Sequence, residues 1–393
     1  MIYLDSAATT KPKKEVVGAM MPYFTDKWHN PSSLYSPSTE IKSDIERARE
    51  TVAEFIGAKS NEIFFTSSGS EANCWAIKGF VDKCRADDVI PIIITTEIEH
   101  KSILECINDE SLDAKVFIVG VNTIGLVDFD GLERILKGVY AQEYDVGIVN
   151  CRVLVSIQFA NNEIGTIQHI EYISKLVHKY NGIFHTDAVQ AFGKLDIYVD
   201  ELEIDMLSAS GHKIGTPKGI GFLYKKSDVK INPLIHGSQM DELRGGTENV
   251  PYIIGMAKAV ELLKEEDRES VENKTDYMIQ KLRRLGCGVF NGSVLYRLYN
   301  IISVTFPHRI TSEALLYTLD LTGIQASAGS ACDTSSIKPS HVLKAIGLSD
   351  EDAMKTIRFS LDDNVTYEDI DVVIEEIEKA LRVIESDWSD DIV

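Results

Sequence analysis

The chain has 393 residues, 44% of them hydrophobic and 26% charged, and its 40 Lys and Arg against 61 Asp and Glu give a net charge of −21. That length allows a sizeable core and more than one domain. The acidity opposes direct nucleic-acid binding, and no uninterrupted apolar run is long enough to span a bilayer. The first residues, Met1-Ile2-Tyr3-Leu4-Asp5, enter strand-like sequence with no basic or apolar leader, which predicts a cytoplasmic protein. The six cysteines (Cys74, Cys84, Cys106, Cys151, Cys287, Cys332) lack CxxC or zinc-ligand spacing. No metal site is expected, and most of the thiols read as small buried hydrophobes.

In chain order, Ile41, Ile45, Ala48, Val52 and Phe55 mark one face of an amphipathic helix stopped by Gly57. From about Ser60 to Lys225, β-rich runs alternate with helical patterns. The predicted strands are Ile63–Thr66, Ile90–Thr95, Val116–Val121, Val153–Phe159, Ile183–Thr186, Met206–Ser208 and Ile220–Tyr224. Phe129–Tyr140 and Ile170–Tyr180 are among the helices between them. Several strands are apolar on both faces, as in a mostly parallel, doubly wound α/β sheet, whose ligands bind at the strands' carboxyl ends. Past Pro251, a helix from Ile253 to about Val271 leads to a smaller α/β unit. There Asn300–Phe306 reads as a strand, Ser312–Leu321 and Glu368–Ile384 as helices, and Ser386–Asp391 as a frayed acidic end.

Chemistry-bearing residues fall where those strands end. The run Met206–Ser210 closes on Gly211-His212-Lys213, delivering one amine to the mouth of the sheet. A desolvated lysine there can form a Schiff base. Phe184-His185-Thr186-Asp187 ends another strand in an acid, and a Schiff-base lysine with an acid for a pyridinium nitrogen is what pyridoxal phosphate requires. Thr66-Ser67-Ser68-Gly69-Ser70 reads either as a phosphate-binding turn at a helix N-terminus or as an ordinary cap. His100 follows a strand and could stack on a ring or carry protons; a solvated loop histidine is the plain alternative. Asn161-Asn162 offers an amide to a cofactor, or simply a turn.

Two further residues carry substrate chemistry. Cys332, in Ala326-Ser327-Ala328-Gly329-Ser330-Ala331-Cys332, has only small neighbours and reads as a thiol on an exposed, mobile loop. Arg358, in Ile357-Arg358-Phe359, is a guanidinium on an apolar strand that needs an anion: a substrate carboxylate, or a structural salt bridge.

Together these motifs resemble the group I (NifS/IscS-type) cysteine desulfurases of the class V aminotransferase group. The resemblance rests on Tyr3–Thr10, Asn30-Pro31-Ser32-Ser33, Asn161–Thr166, His185–Gln190, Ser210–Lys213, Arg244–Asn249, Ser327–Cys332 and Ile357–Leu361, in family order over nearly the whole chain. It implies a fold type I (aspartate-aminotransferase-like) enzyme with a large cofactor domain over residues 15–255. A small domain would be built from 1–14 and 256–393.

The resemblance also implies residue roles. Lys213 carries pyridoxal 5′-phosphate, Asp187 pairs its ring nitrogen and His100 stacks on the ring. Gln190 and Asn162 contact the ring oxygen. Gly69, Ser70, Ser210 and His212 hold the phosphate, and Thr247 reaches the phosphate of a partner subunit in a homodimer. Arg358 and Asn162 position the substrate carboxylate. Cys332 takes sulfur from L-cysteine as a persulfide, releases L-alanine and passes the sulfur to a protein acceptor, such as an iron–sulfur scaffold or a thiolation enzyme. A selenocysteine lyase, or a non-catalytic protein on the same fold, is the alternative. Tyr35 and Ser38 replace the family's His and Gly, and the loop 236–243 is about one residue short, changes that bear on partner choice rather than on chemistry.

Overall fold

The computed structural model describes residues 1–141, 150–264, 266–286, 288–306, 310–329 and 338–389. The twelve strands among them are β1 (Ile2–Tyr3), β2 (Ile63–Thr66), β3 (Ile90–Thr96), β4 (Lys115–Val119), β5 (Cys151–Ser156), β6 (Ile183–Asp187), β7 (Met206–Ser210), β8 (Gly221–Lys225), β9 (Val289–Phe290), β10 (Ile301–Thr305), β11 (Ile324–Gln325) and β12 (Thr356–Ser360). Seven form one sheet in the order β2-β8-β7-β6-β5-β3-β4, parallel throughout except that β8 runs against both β2 and β7.

This is the doubly wound α/β architecture that the strand patterns predict, and it agrees with the fold type I that the resemblance implies. Ile92–Ile94 of β3 and Val153–Val155 of β5 are buried on both faces, as parallel strands covered by helices must be. The edge strand β4 is the partly exposed exception. The chain steps outward from β3 to β4 and then returns to place β5 on the other side of β3. That reversal opens a crevice at the strands' carboxyl ends, between the segments that follow β3 and β5.

A second hydrophobic core gathers Leu4, Met278, Leu282, Val304, Phe359, Ile370 and Ile377 around the antiparallel sheet β12-β10-β9. The N-terminal segment joins the two cores: Leu4 packs in the second, Ala7 in the first. β1 pairs with β11, and the Leu4 carbonyl accepts from the Ser360 N–H.

The structure departs from the sequence pattern at three helices, the last of which, Tyr367–Ser389, takes in residues 386–389 that were expected to fray. The single helix expected from Ile253 to about Val271 is two, Val250–Leu263 and Arg268–Arg284. Asp267 starts the second by accepting from the Ser270 N–H, a cap that periodicity alone overlooks. The short helix Lys101–Ile107 is one that the pattern did not anticipate. Among the described residues, no helix is long and apolar enough to cross a membrane.

Gly221 opens β8 directly against the turn that starts the helix Gly69–Ala86. A Cβ there would lie 2.6 Å from the Ser68 carbonyl carbon and 2.9 Å from the Gly69 nitrogen. Gly221→Ala is therefore expected to destabilise the protein by about 1–3 kcal/mol, as overpacking against backbone does, with a lower thermal midpoint as the check.

Candidate active site

The cavity at the carboxyl ends of the main sheet has a volume of about 330 Å³. On one side β2 ends at Thr66 and the helix Gly69–Ala86 begins. Ser68 caps it, its Oγ accepting from the Glu71 N–H, while the Glu71 carboxylate accepts from the Ser67 N–H at 2.7 Å. Arg244 grips the same carboxylate with Nε at 2.9 Å and Nη2 at 3.2 Å. Burial pulls the Glu71 pKa upward, but the bonds from Arg244 and Ser67 outweigh it and hold the carboxyl below its ordinary value. Gly69 packs so closely on the turn after β6 that a Cβ would lie 2.5 Å from Val189 Cγ2. Gly69 and Ser70 thus line the cavity at a helix N-terminus, an anion-binding position, with Ser210 and His212 also in the wall.

Asp187 ends β6 at the cavity wall, 7% exposed. Its Oδ2 accepts from Asn73 Nδ2 at 2.7 Å and its Oδ1 from the Val189 N–H at 2.9 Å. Asn73 Nδ2 also donates to Ser102 Oγ at 2.9 Å, and that oxygen lies 2.8 Å from His100 Nδ1. Because the Ser102 N–H donates to the same Nδ1, this nitrogen is the acceptor and the imidazole proton sits on Nε2. Burial lowers the His100 pKa, the nearby Asp187 charge only partly offsetting it, so a neutral imidazole faces the cavity. A continuous chain, Asp187–Asn73–Ser102–His100, therefore ties the acid to the histidine.

Lys213 lies in the tight turn after β7, and its Nζ donates to the carbonyls of Ala7 at 2.5 Å and Ala8 at 2.7 Å. Gln190 Nε2 donates to the same Ala7 carbonyl, while its buried Oε1 has no partner among the described residues. Thr9 Oγ1 lies 3.1 Å from His212 Nδ1, and burial followed by the charge of Lys213 lowers the His212 pKa to about 4. The N-terminal segment thus closes the floor beneath the lysine.

Arg358 projects from β12 and is 2% exposed. Its Nη1 donates to the carbonyls of Asn162 at 2.9 Å and Gly329 at 3.4 Å, and its Nη2 to Asp5 Oδ1 at 2.5 Å. The structural ion pair and the cavity-facing position, alternatives on sequence alone, coexist, since Arg358 also lines the cavity. Gly329 and His341, which bracket the segment carrying Cys332, line it too, and Ser340 Oγ donates to Glu163 Oε2 at 2.5 Å.

Of the sequence-predicted site residues, Gly69, Ser70, His100, Asn162, Asp187, Gln190, Ser210, His212, Lys213 and Arg358 share this one cavity. Thr247 is exposed and does not line it, and Cys332 lies outside the described residues. Sequence reasoning missed Asn73, Ser102, Asp5 and His341. Asn73, one turn into the phosphate helix, was the findable one, because an amide on the buried face of such a helix needs a partner. The residues present fit pyridoxal phosphate: an amine, an acid for a ring nitrogen and a helix N-terminus for the phosphate.

The class-V aminotransferase family model matches residues 2–373. The chain belongs to that family. A cysteine desulfurase IscS from Dictyoglomus turgidum is 43% identical over 97% of this chain and 94% of its own length. A solved NifS-like protein superposes with a TM-score of 0.86 at 35% identity, covering 97% of this chain and 99% of its own. A structure of SspA in complex with cysteine gives 0.78 at 36% identity, covering 92% and 99%. Within the family the chain is of the NifS/IscS type, and it is a pyridoxal-phosphate enzyme.

Two predictions follow from this geometry. Asn73→Ala removes a buried donor from Asp187, a loss of about 1–3 kcal/mol, so cofactor release from the variant, followed by absorbance, should be roughly tenfold faster. His185, between Ser156 Oγ at 2.8 Å and Ser208 Oγ at 2.9 Å, has its pKa lowered by burial to about 3. The unfolded chain protonates it near 6.5, so its contribution to stability is complete above about pH 6.5 and is lost as pH falls toward 3. Urea midpoints should drop over that range, and less steeply in His185→Gln.

Proposed function

We propose that this enzyme takes sulfur from L-cysteine onto Cys332 as a persulfide, releasing L-alanine, and passes the sulfur to an acceptor protein. The observation that carries the reading is the convergence of Lys213, Asp187, His100 and Arg358 on one cavity bracketed by the two ends of the Cys332 segment. Pyridoxal phosphate, held by Lys213 and the Gly69–Ser70 turn, supplies the electron sink that makes the substrate's α-proton removable.

The protein's own residues do the rest. Arg358 and Asn162 orient the substrate carboxylate, which fixes which α-substituent faces Lys213. The Lys213 amine would be the base for that proton. Asp187, which accepts from Asn73 and the Val189 N–H, would pair with the cofactor's ring nitrogen. Neutral His100 has its Nε2 proton to give, which suits it to proton transfer at the substrate sulfur. The Cys332 thiolate would attack that sulfur as the substrate's carbon–sulfur bond breaks, the bonding pair staying with the carbon that becomes the alanine methyl group, and the resulting persulfide passes its outer sulfur on by thiol exchange.

We place the enzyme in the cytoplasm as a homodimer in which the exposed Thr247 reaches the partner's phosphate site. The large cofactor domain is residues 15–255 and the small one 1–14 and 256–393. The acceptor is a protein, an iron–sulfur scaffold or a thiolation enzyme.

Incubation with L-cysteine should add about 32 Da, one sulfur atom, to the peptide containing Cys332. Cys332→Ser should abolish alanine formation and keep the cofactor absorbance. Alanine and sulfide released by Cys332→Ser at the wild-type rate would overturn the assignment. Arg358→Gln should raise KM for L-cysteine by about 10- to 100-fold, the worth of a charge-assisted carboxylate bond.

A further inference from the structure

Glu71 and Arg244 have no part in the reaction above and neither lines the cavity, yet they meet at the start of the helix that borders it. Glu71 is the third residue of Gly69–Ala86. Its carboxylate turns back over the helix start to accept from the Ser67 N–H at 2.7 Å, and its own N–H donates to Ser68 Oγ at 3.1 Å. On a helix facing open water this is an ordinary cap. Here it fixes a negative charge next to Ser70, at the helix end that lines the cavity as an anion site. A phosphate arriving there would be repelled, and the Glu71 side chain, 11% exposed, is too sheltered for water to screen the two charges fully.

Arg244 meets this charge from a loop that closes on itself. The Gly245 N–H donates to the Ile235 carbonyl at 2.8 Å, and the Gly246 N–H to Gln239 Oε1 at 2.9 Å. Within the loop Met240, Asp241 and Glu242 have φ of 46°, 57° and 64°, three successive residues in the left-handed region that favours glycine. Backbone of that kind persists only where its surroundings hold it. Arg244 supplies one hold, a two-pronged grip on Glu71 with Nε at 2.9 Å and Nη2 at 3.2 Å.

We propose that Arg244 is a positioning residue for the cofactor phosphate: by neutralising and fixing Glu71, it lets the Gly69–Ser70 helix start accept a dianion that the bare carboxylate would repel. The proposal rests on the reading that this turn takes the phosphate of pyridoxal phosphate. It makes Arg244 a determinant of the choice between pyridoxal phosphate and pyridoxal, which differ only in that group.

The test titrates the full-length protein, freed of cofactor, with each of the two compounds and follows the absorbance of the bound form. Arg244→Gln should bind pyridoxal phosphate about tenfold more weakly, the size expected of one uncompensated charge about a helical turn away, and bind pyridoxal as before. Glu71→Gln should bind pyridoxal phosphate at least as tightly as the parent, a result that stands even if Arg244→Gln folds poorly. Glu71→Gln/Arg244→Gln should recover to within about threefold of the parent. Both Arg244 variants lack the same loop anchor, so the difference between them reports the charge of Glu71 alone. If Arg244 acts only by anchoring the loop that carries Thr247, Glu71→Gln will weaken binding as much as Arg244→Gln and the double variant will show no recovery. Either result overturns the proposal, as does an equal loss for pyridoxal. Ser70→Ala separates this from the underlying reading. If it alters neither affinity, the phosphate reading itself fails. If it weakens pyridoxal phosphate alone while the Arg244 series shows no recovery, only the role of Arg244 is lost.

Discussion

The bond from Asn73 Nδ2 to Asp187 Oδ2 is the contact on which the site depends. It crosses from the phosphate helix to the end of β6 in a buried setting, where an unpaired carboxylate would be costly. The two carboxyl oxygens of Asp187 need fixed donors in such a place, and Asn73 and the Val189 N–H supply them. The same amide reaches Ser102 and, through it, His100, so one side chain sets the acid, the imidazole tautomer and the spacing of two helices together.

The N-terminal segment does comparable work from the other side. Ala7 and Ala8 lend their carbonyls to Lys213, Ala7 also receives Gln190, and Asp5 neutralises Arg358. These few residues run from the second core to the first, so the lysine that holds a cofactor and the arginine that faces a carboxylate are braced by one stretch of chain. Arg358 also holds the Asn162 and Gly329 carbonyls, which links the end of β5 to the segment leading toward Cys332.

Much of this was legible in the residues. Strands apolar on both faces had to be parallel and covered, and chemistry-bearing residues at their carboxyl ends had to share a crevice; ten of the predicted site residues do. What escaped was local capping and partnership. Asp267 divided a helix that periodicity ran together, and Lys101–Ile107 was too short to show an apolar period. Asp5 looked like part of a strand-like start, because the arginine it serves lies 353 residues away.

By itself, the sequence determined the fold and the chemistry of the cofactor. Lys213 and Asp187 each end an apolar strand, and the periodicity that buries such strands also decides where their ends point. Only the tertiary structure decided how those groups are held. That Asn73 serves Asp187, that Ser102 sets the His100 tautomer and that Asp5 braces Arg358 all depend on distances across packed elements. Such distances come from the whole fold, and no spacing along the chain encodes them.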